Sequence, residues 1–217
     1  MKKYLFTDPK GKLIPKYLID VTEHLEKERQ SLLRETGELT ENVSHIKEIV
    51  AMQQTYARVS GLTETLPIVA LVEEALQMSR TSFDRHKIDI VREFQEVPPV
   101  VVDRHKVLQI LVNLASNAKD ALHAADREDK RLILKVGANG DNRVRVTFAD
   151  NGSGIPRENL TRIFVHGFTT KTNGHGFGLH NAALAAKEMG GSLQAESEGP
   201  GCGASFTLEL PMAGTTN

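Results

Sequence analysis

The chain has 217 residues, of which 40% are hydrophobic and 25% charged, and a net charge of −1, which suits one or two ordinary globular domains. That near-neutral charge gives no electrostatic case for nucleic acid or an acidic membrane surface. The single cysteine, Cys202, excludes an internal disulfide or a CxxC pair. No apolar run reaches the roughly 18 to 20 residues that cross a bilayer, and residues 1–9 leave no room for a signal-peptide core. A soluble, cytoplasmic chain is expected.

Residues 1–14 are turn-rich, and Pro15 suits the first turn of a helix, where its missing N–H costs nothing. From there to Val59 there is no proline, and Gly37 is the only glycine. Leu18, Leu25, Leu32, Leu39 and Ile46 recur every seven residues, which marks a helix seeking a partner helix. The complementary seam is polar at Thr22, Arg29 and Thr36 and apolar at Val43 and Val50. A coiled-coil helix about 65 Å long is expected, pairing in a homodimer or within a helical hairpin. Residues 61–67 read as a linker, and Ile68 to His86 as a second helix with Val69, Val72, Ala75 and Leu76 on one face.

Ile88–Phe94 alternates as a strand, Pro98-Pro99 ends it, and Val100–Val102 is a second short apolar segment. Asp103 is placed to cap the helix that follows. Leu132–Val136 and Arg143–Ala149 read as adjacent strands joined by a turn over 137–142. Gly178–Met189 reads as a helix closed by Gly190-Gly191. Ser192–Ser197 and Ala204–Leu210 read as a last hairpin, and 212–217 as a disordered tail. Strands interspersed with helices, without βαβ alternation, point to the α+β class: a two-layer α/β sandwich with a mixed sheet covered by helices, preceded by the long coiled-coil helix.

Four pieces carry chemistry. Asn113 and Asn117 are four apart and share one helix face, and carboxamide oxygens are hard, neutral ligands of the kind Mg²⁺ accepts. Asp150 ends an apolar strand and precedes Gly152 and Gly154, so it is either a strand-ending turn or a carboxylate that accepts the exocyclic amine of adenine. Gly174, Gly176 and Gly178 expose N–H groups at a helix start, where anions are favoured. Gly199, Gly201 and Gly203 form a turn feeding the last strand. Together they suggest a nucleotide site, and not a P-loop. The histidines His24, His86, His105, His123, His166, His175 and His180 show no metal-ligand spacing, although His175 and His180 flank the glycine-rich lid and are within sequence reach of a phosphate.

In order and spacing these pieces resemble the ATP-binding domain shared by sensor histidine kinases and by gyrase, chaperone and mismatch-repair ATPases. The wording Asn113-Leu-Ala-Ser-Asn117-Ala is most similar to the histidine kinases, and the resemblance covers roughly residues 62–210. It implies ATP and Mg²⁺, with Asn117 as the magnesium ligand. Asn113 stands where gyrase-type ATPases keep a glutamate base; an amide cannot take the proton, which favours phosphoryl transfer over hydrolysis. Asp150 takes the adenine-reading role, with Asp120, Gly152, Gly154 and Ile155 in the nucleotide set. Arg162–Lys171 resembles the phenylalanine box: Phe164 and Phe168 anchor the lid, Thr169, Thr170 and Lys171 face phosphate oxygens, and Lys171 meets the γ-phosphate. Gly174, His175, Gly176, Phe177, Gly178 and Leu179 make the lid, with Phe177 where the family more often has leucine. Gly203 lets the last hairpin approach the nucleotide.

The resemblance also implies a domain plan: 1–60 as part of a dimerisation and phosphotransfer region, 61–67 as linker, and 68–211 as the ATP domain. A response-regulator receiver domain is the implied partner, with no nucleic acid and no membrane segment in this chain. His45, in Val43-Ser44-His45, is the candidate phosphoacceptor, but Ile46 and Lys47 follow it where the family has an acid or asparagine. Only 68 residues separate His45 from Asn113 (113 − 45), too few for the rest of a helical hairpin. Residues 15–59 therefore read as the returning helix of that hairpin, with the acceptor expected on a helix upstream. An ATPase clamp, and a nucleotide-binding scaffold or phosphatase without autokinase activity, are the alternatives.

Overall fold

The computed structural model describes residues 13–57, 63–125, 127–171 and 176–213, and of 14, 15 and 38–57 the backbone alone. The chain divides into two compact units, residues 1–57 and 58–217. Among the described residues the first holds one α-helix, α1 (Ile14–Ala57), 44 residues long. Glu26 and Arg29 pair along its surface at 2.7 Å, and the Thr22 and Thr36 hydroxyls donate back to the Leu18 and Leu32 carbonyls, both at 2.7 Å. Its heptad leucines stay in solvent: Leu18, Leu25 and Leu32 are 57–62% exposed. The side chains of Leu39, His45 and Ile46 lie outside the described residues.

The second unit runs β1 (Glu64–Leu66), α2 (Ile68–Arg85), β2 (Asp89–Phe94), β3 (Val100–Val102), α3 (Arg104–Ala124), β4 (Arg131–Asn139), β5 (Arg143–Asp150), α4 (Gly178–Glu188), β6 (Ser192–Glu196) and β7 (Ala204–Pro211). Two single-turn 3₁₀ helices, Arg157–Asn159 and Arg162–Phe164, lie between β5 and α4. The main sheet has the order β2-β4-β5-β7-β6, with β2 and β4 parallel and the other pairs antiparallel. The parallel pair is joined through β3 and α3, since parallel neighbours need a crossover. This is the α+β sandwich with a mixed sheet that the sequence suggests.

Alternation decides the layers. Leu132, Leu134 and Val136 of β4, Val144, Val146 and Phe148 of β5, and Ala204, Phe206, Leu208 and Leu210 of β7 are all buried. Their neighbours face solvent and pair across strands, as Arg145 with Glu209, Lys135 with Glu93, and Thr147 with Thr207. Helix α2 buries Ile68, Leu71, Val72, Ala75, Leu76 and Phe83. Helix α3 buries Val107, Ile110, Leu111, Leu114, Ala115, Ala118 and Leu122 along one face, with Leu108 and Val112 packed beside them. Asp103 caps α3, accepting from the His105 and Lys106 N–H groups at 3.0 and 3.3 Å.

Three boundaries differ from the sequence expectation. Glu64–Leu66, inside the expected linker, form β1, which pairs antiparallel with β3 from Glu64↔Val102 to Leu66↔Val100. The strand exists because its partner does; nothing in Glu-Thr-Leu alone asks for it. Strand β4 continues through Gly137, Ala138 and Asn139, because β5 supplies partners as far as Asn139↔Arg143 and the Asn139 carboxamide closes the turn onto the Asp141 and Arg143 N–H groups. At the other end, Met212 and Ala213 are held rather than loose: their N–H groups donate to Asn142 and Pro99 carbonyls at 3.0 and 2.9 Å. Residues 214–217 lie outside the described residues.

Candidate functional site

The polar edge of α3 begins the site. Asn113, Asn117 and Asp120 follow at intervals of four and three, so they stack on one face, away from the buried stripe. The Asn117 carboxamide donates to Asn113 Oδ1 at 3.1 Å, leaving Asn117 Oδ1 free to accept. Lys171 Nζ takes that acceptor at 3.0 Å and reaches Asp120 Oδ2 at 2.7 Å. Lys119 Nζ lies 2.9 Å from the other oxygen, Asp120 Oδ1. Burial pushes the Asp120 carboxyl up, but the hydrogen bonds from Lys171 and Lys119 outweigh it and hold the group below the ordinary range.

Helix α4 starts against this face. A Cβ on Gly178 would lie 2.7 Å from the Asn113 carboxamide, so only glycine lets the helix N-terminus approach that closely. The two predicted features, the amide pair and the start of the glycine helix, are thus brought together.

Strand β5 supplies the second wall. Its inward row of Val144, Val146 and Phe148 continues by period two to Asp150, the one buried charged residue among those described, at 8% exposure. Burial pushes its carboxyl up to about 6, while hydrogen bonds from the Gly152 and Ala204 N–H groups work against that rise. Gly152 N–H donates to Asp150 Oδ1 at 2.9 Å. The loop then folds over the end of α3, with Ser153 N–H donating to the Ala121 carbonyl at 3.1 Å. Gly154 and Gly203 have φ of +70° and +74°; a Cβ would run into the Gly199 carbonyl at the first and the Asp150 carbonyl at the second. This is how the last hairpin reaches the Asp150 loop.

Ser197 was invisible as a site residue in the sequence, yet it fastens this wall. Its hydroxyl accepts from Ile155 N–H at 3.0 Å and donates to the Gly203 carbonyl at 2.6 Å. A serine at a strand end before a glycine turn was the available signal. Asn151 does similar service: it accepts from Arg131 N–H and donates to the Asp129 carbonyl, both at 2.8 Å, while Arg127 Nη1 reaches its carbonyl at 2.7 Å.

The third wall is the segment 162–177. The Arg162 guanidinium lies 4.6 Å from the Phe168 ring centroid. His180 Nδ1 is 3.0 Å from the Phe164 carbonyl, and the His166 ring packs on Phe177 and His180 at 4.6 and 5.2 Å. His166 and His180 therefore anchor this segment to α4. Thr169 Oγ1 accepts from Lys171 N–H at 3.1 Å, whereas Thr170 is exposed. Ile155, Phe164 and Leu179 pack against the core. Gly174 and His175 lie outside the described residues, and Gly167 N–H donates to the Gly176 carbonyl beyond them at 3.1 Å.

Residues 102–214, more than half the chain, match the family model described as histidine kinase-, DNA gyrase B- and HSP90-like ATPase. The chain belongs to this ATPase family. Among its relatives, the sensor histidine kinase ZraS of Klebsiella oxytoca is 33% identical over 186 residues, 84% of this chain and 37% of that protein. The chain therefore spans little more than a third of that relative's length. Full-length ShkA solved in complex with AMPPNP is similar at 26% identity and a TM-score of 0.63, over 74% of this chain and 33% of that one. Histidine kinase ThkA, solved in complex with the response regulator TrrA, is similar at 25% identity and a TM-score of 0.64, over 80% of this chain and 49% of that one. Among the described residues no helix is long and apolar enough to cross a membrane.

Proposed function

We propose that this chain is the ATP-binding kinase part of a two-component sensor histidine kinase. The carrying observation is the amide–amide–carboxylate stripe of Asn113, Asn117 and Asp120, facing the N-terminus of α4 with a cation already seated on its oxygens. Adenine binds at Asp150, where the buried carboxylate accepts the exocyclic amine. The triphosphate runs along α3 towards Gly178 and Lys171. The donor chemistry fits Mg²⁺: a hard, neutral carboxamide oxygen, with room left for water and phosphate. Asn117 would hold the ion, which when bound would neutralise charge on the phosphates.

The transfer breaks the bond between the γ-phosphorus and the ADP oxygen and forms a P–N bond to a histidine imidazole, which loses its ring proton. A response-regulator aspartate then takes the phosphoryl as an acyl phosphate. Asn113 supports transfer over hydrolysis, since a carboxamide at that position cannot deprotonate water. The exposed heptad leucines of α1 support a homodimer seam, and residues 1–60 are proposed as part of the dimerisation and phosphotransfer region.

Incubation with labelled Mg²⁺-ATP, followed by a test for acid-labile, alkali-stable phosphate, checks this reading. Label that disappears in His45→Gln makes His45 the acceptor. Label transferred only to an added histidine helix of the same family places the acceptor outside these residues. Failure to bind ATP at all overturns the nucleotide reading.

A further inference from the structure

The cation already present at the proposed metal position is the side chain of Lys171. Its ammonium lies between two oxygens three residues apart on α3, Asn117 Oδ1 at 3.0 Å and Asp120 Oδ2 at 2.7 Å. A lysine ammonium is a compact point charge with three donors, and here two of them take the same acceptors that a hard divalent ion would use. We propose that Asn117 and Asp120 form a two-oxygen cation seat, that Lys171 fills it when nucleotide is absent, and that the divalent cation arriving with ATP displaces it.

The proposal rests on the magnesium reading above and adds two things to it: Asp120 as a second protein oxygen for the ion, and Lys171 as a built-in competitor. Competition follows from charge. A singly and a doubly charged cation on the same two oxygens repel strongly at that separation. Asp120 already has a further ammonium, Lys119, on its other oxygen at 2.9 Å, so while Lys171 occupies the seat two ammoniums face one carboxylate and the net positive charge turns a free divalent ion away. The triphosphate changes that balance. It gives Lys171 a stronger acceptor and brings the divalent ion as its own counter-charge, so one exchange vacates the seat and fills it. The consequence is order: the site takes its metal with the nucleotide, not before it.

Lys171 is about half exposed (46%) and anchors no core, so its replacement leaves the fold intact. The test titrates Mn²⁺ alone, followed by electron paramagnetic resonance, into the nucleotide-free chain in three forms: unaltered, Lys171→Met and the double variant Lys171→Met with Asp120→Asn. Lys171→Gln serves as a second removal of the charge. The expected result is that either single variant binds Mn²⁺ about fivefold or more tightly than the unaltered chain, and that the double variant loses the gain. Equal Mn²⁺ affinity with and without the Lys171 ammonium overturns the exchange, and a gain that survives Asp120→Asn overturns the second oxygen. An ATP titration of the unaltered chain, read separately, reports on the nucleotide assignment; its failure leaves the Mn²⁺ comparison interpretable.

Discussion

The two sides of the site are built by different physics. On the Asp150 side, nearly every link involves the backbone: Gly152 to Asp150, Ser153 to Ala121, Gly201 to Ser153 at 2.7 Å, and Ser197 bridging Ile155 and Gly203. On the Phe164–Phe177 side, rings, one histidine and one ammonium carry most of the attachment. Backbone clamps around a buried carboxylate preorganise the proposed adenine pocket, which need not rearrange on binding. Side-chain contacts between mostly half-buried rings and exposed ions are individually weak, so the proposed phosphate side can re-form around a ligand at small cost.

The sharpest way to break this contrast is Asp150→Asn. It should weaken ATP binding roughly 100-fold by turning an acceptor into a donor–acceptor, measured by calorimetry. The same change should stabilise the nucleotide-free domain above pH 6. An Asp150 carboxyl raised to about 6 from an ordinary 3.8 keeps its proton in the folded chain where the unfolded chain has lost it. Stability therefore falls as pH rises from about 4 to 6, by about 3 kcal/mol, and denaturant melts of the variant should lack that fall. ATP affinity of the unaltered chain should conversely drop below about pH 6, as the carboxylate is protonated.

Ser197→Ala is the next largest. It leaves Ile155 N–H and the Gly203 carbonyl without their common partner and should cost about 1 to 2 kcal/mol in urea unfolding, with ATP affinity reduced several-fold. His180→Phe tests the opposite side. Ring packing survives and one hydrogen bond to Phe164 is lost, so stability should change by less than about 1 kcal/mol. If His180→Phe costs as much as Ser197→Ala, the contrast between the two sides is wrong.

Much of this was legible in the residues. The order of helices and strands follows from periodicity, from Asp103 as a cap and from glycine punctuation, because those signals are local. Asn113, Asn117 and Asp120 on one face follow from helix geometry alone. β1 was missed because three residues with one apolar side chain carry no period, and their reason to be a strand is β3. Ser197 was missed for the same reason: its partners Gly199, Gly203 and Ile155 lie two, six and 42 residues away and meet only in the folded hairpin. His166 reads as unplaced in the sequence and His180 as a residue flanking the lid within reach of phosphate; both prove to make ring contacts on the Phe164–Phe177 side.

What the sequence alone determined is which of the longer segments form helices and strands, which faces are apolar, and which side chains of one helix stand together. Those are set within a few residues of chain, where propensity and spacing act. Tertiary structure decided what happens between distant segments: that Asp150 ends an inward row and is buried enough to shift its proton, and that Lys171 crosses 51 residues to sit on Asp120. Burial and charge pairing depend on what packs alongside, and no local spacing encodes the neighbour.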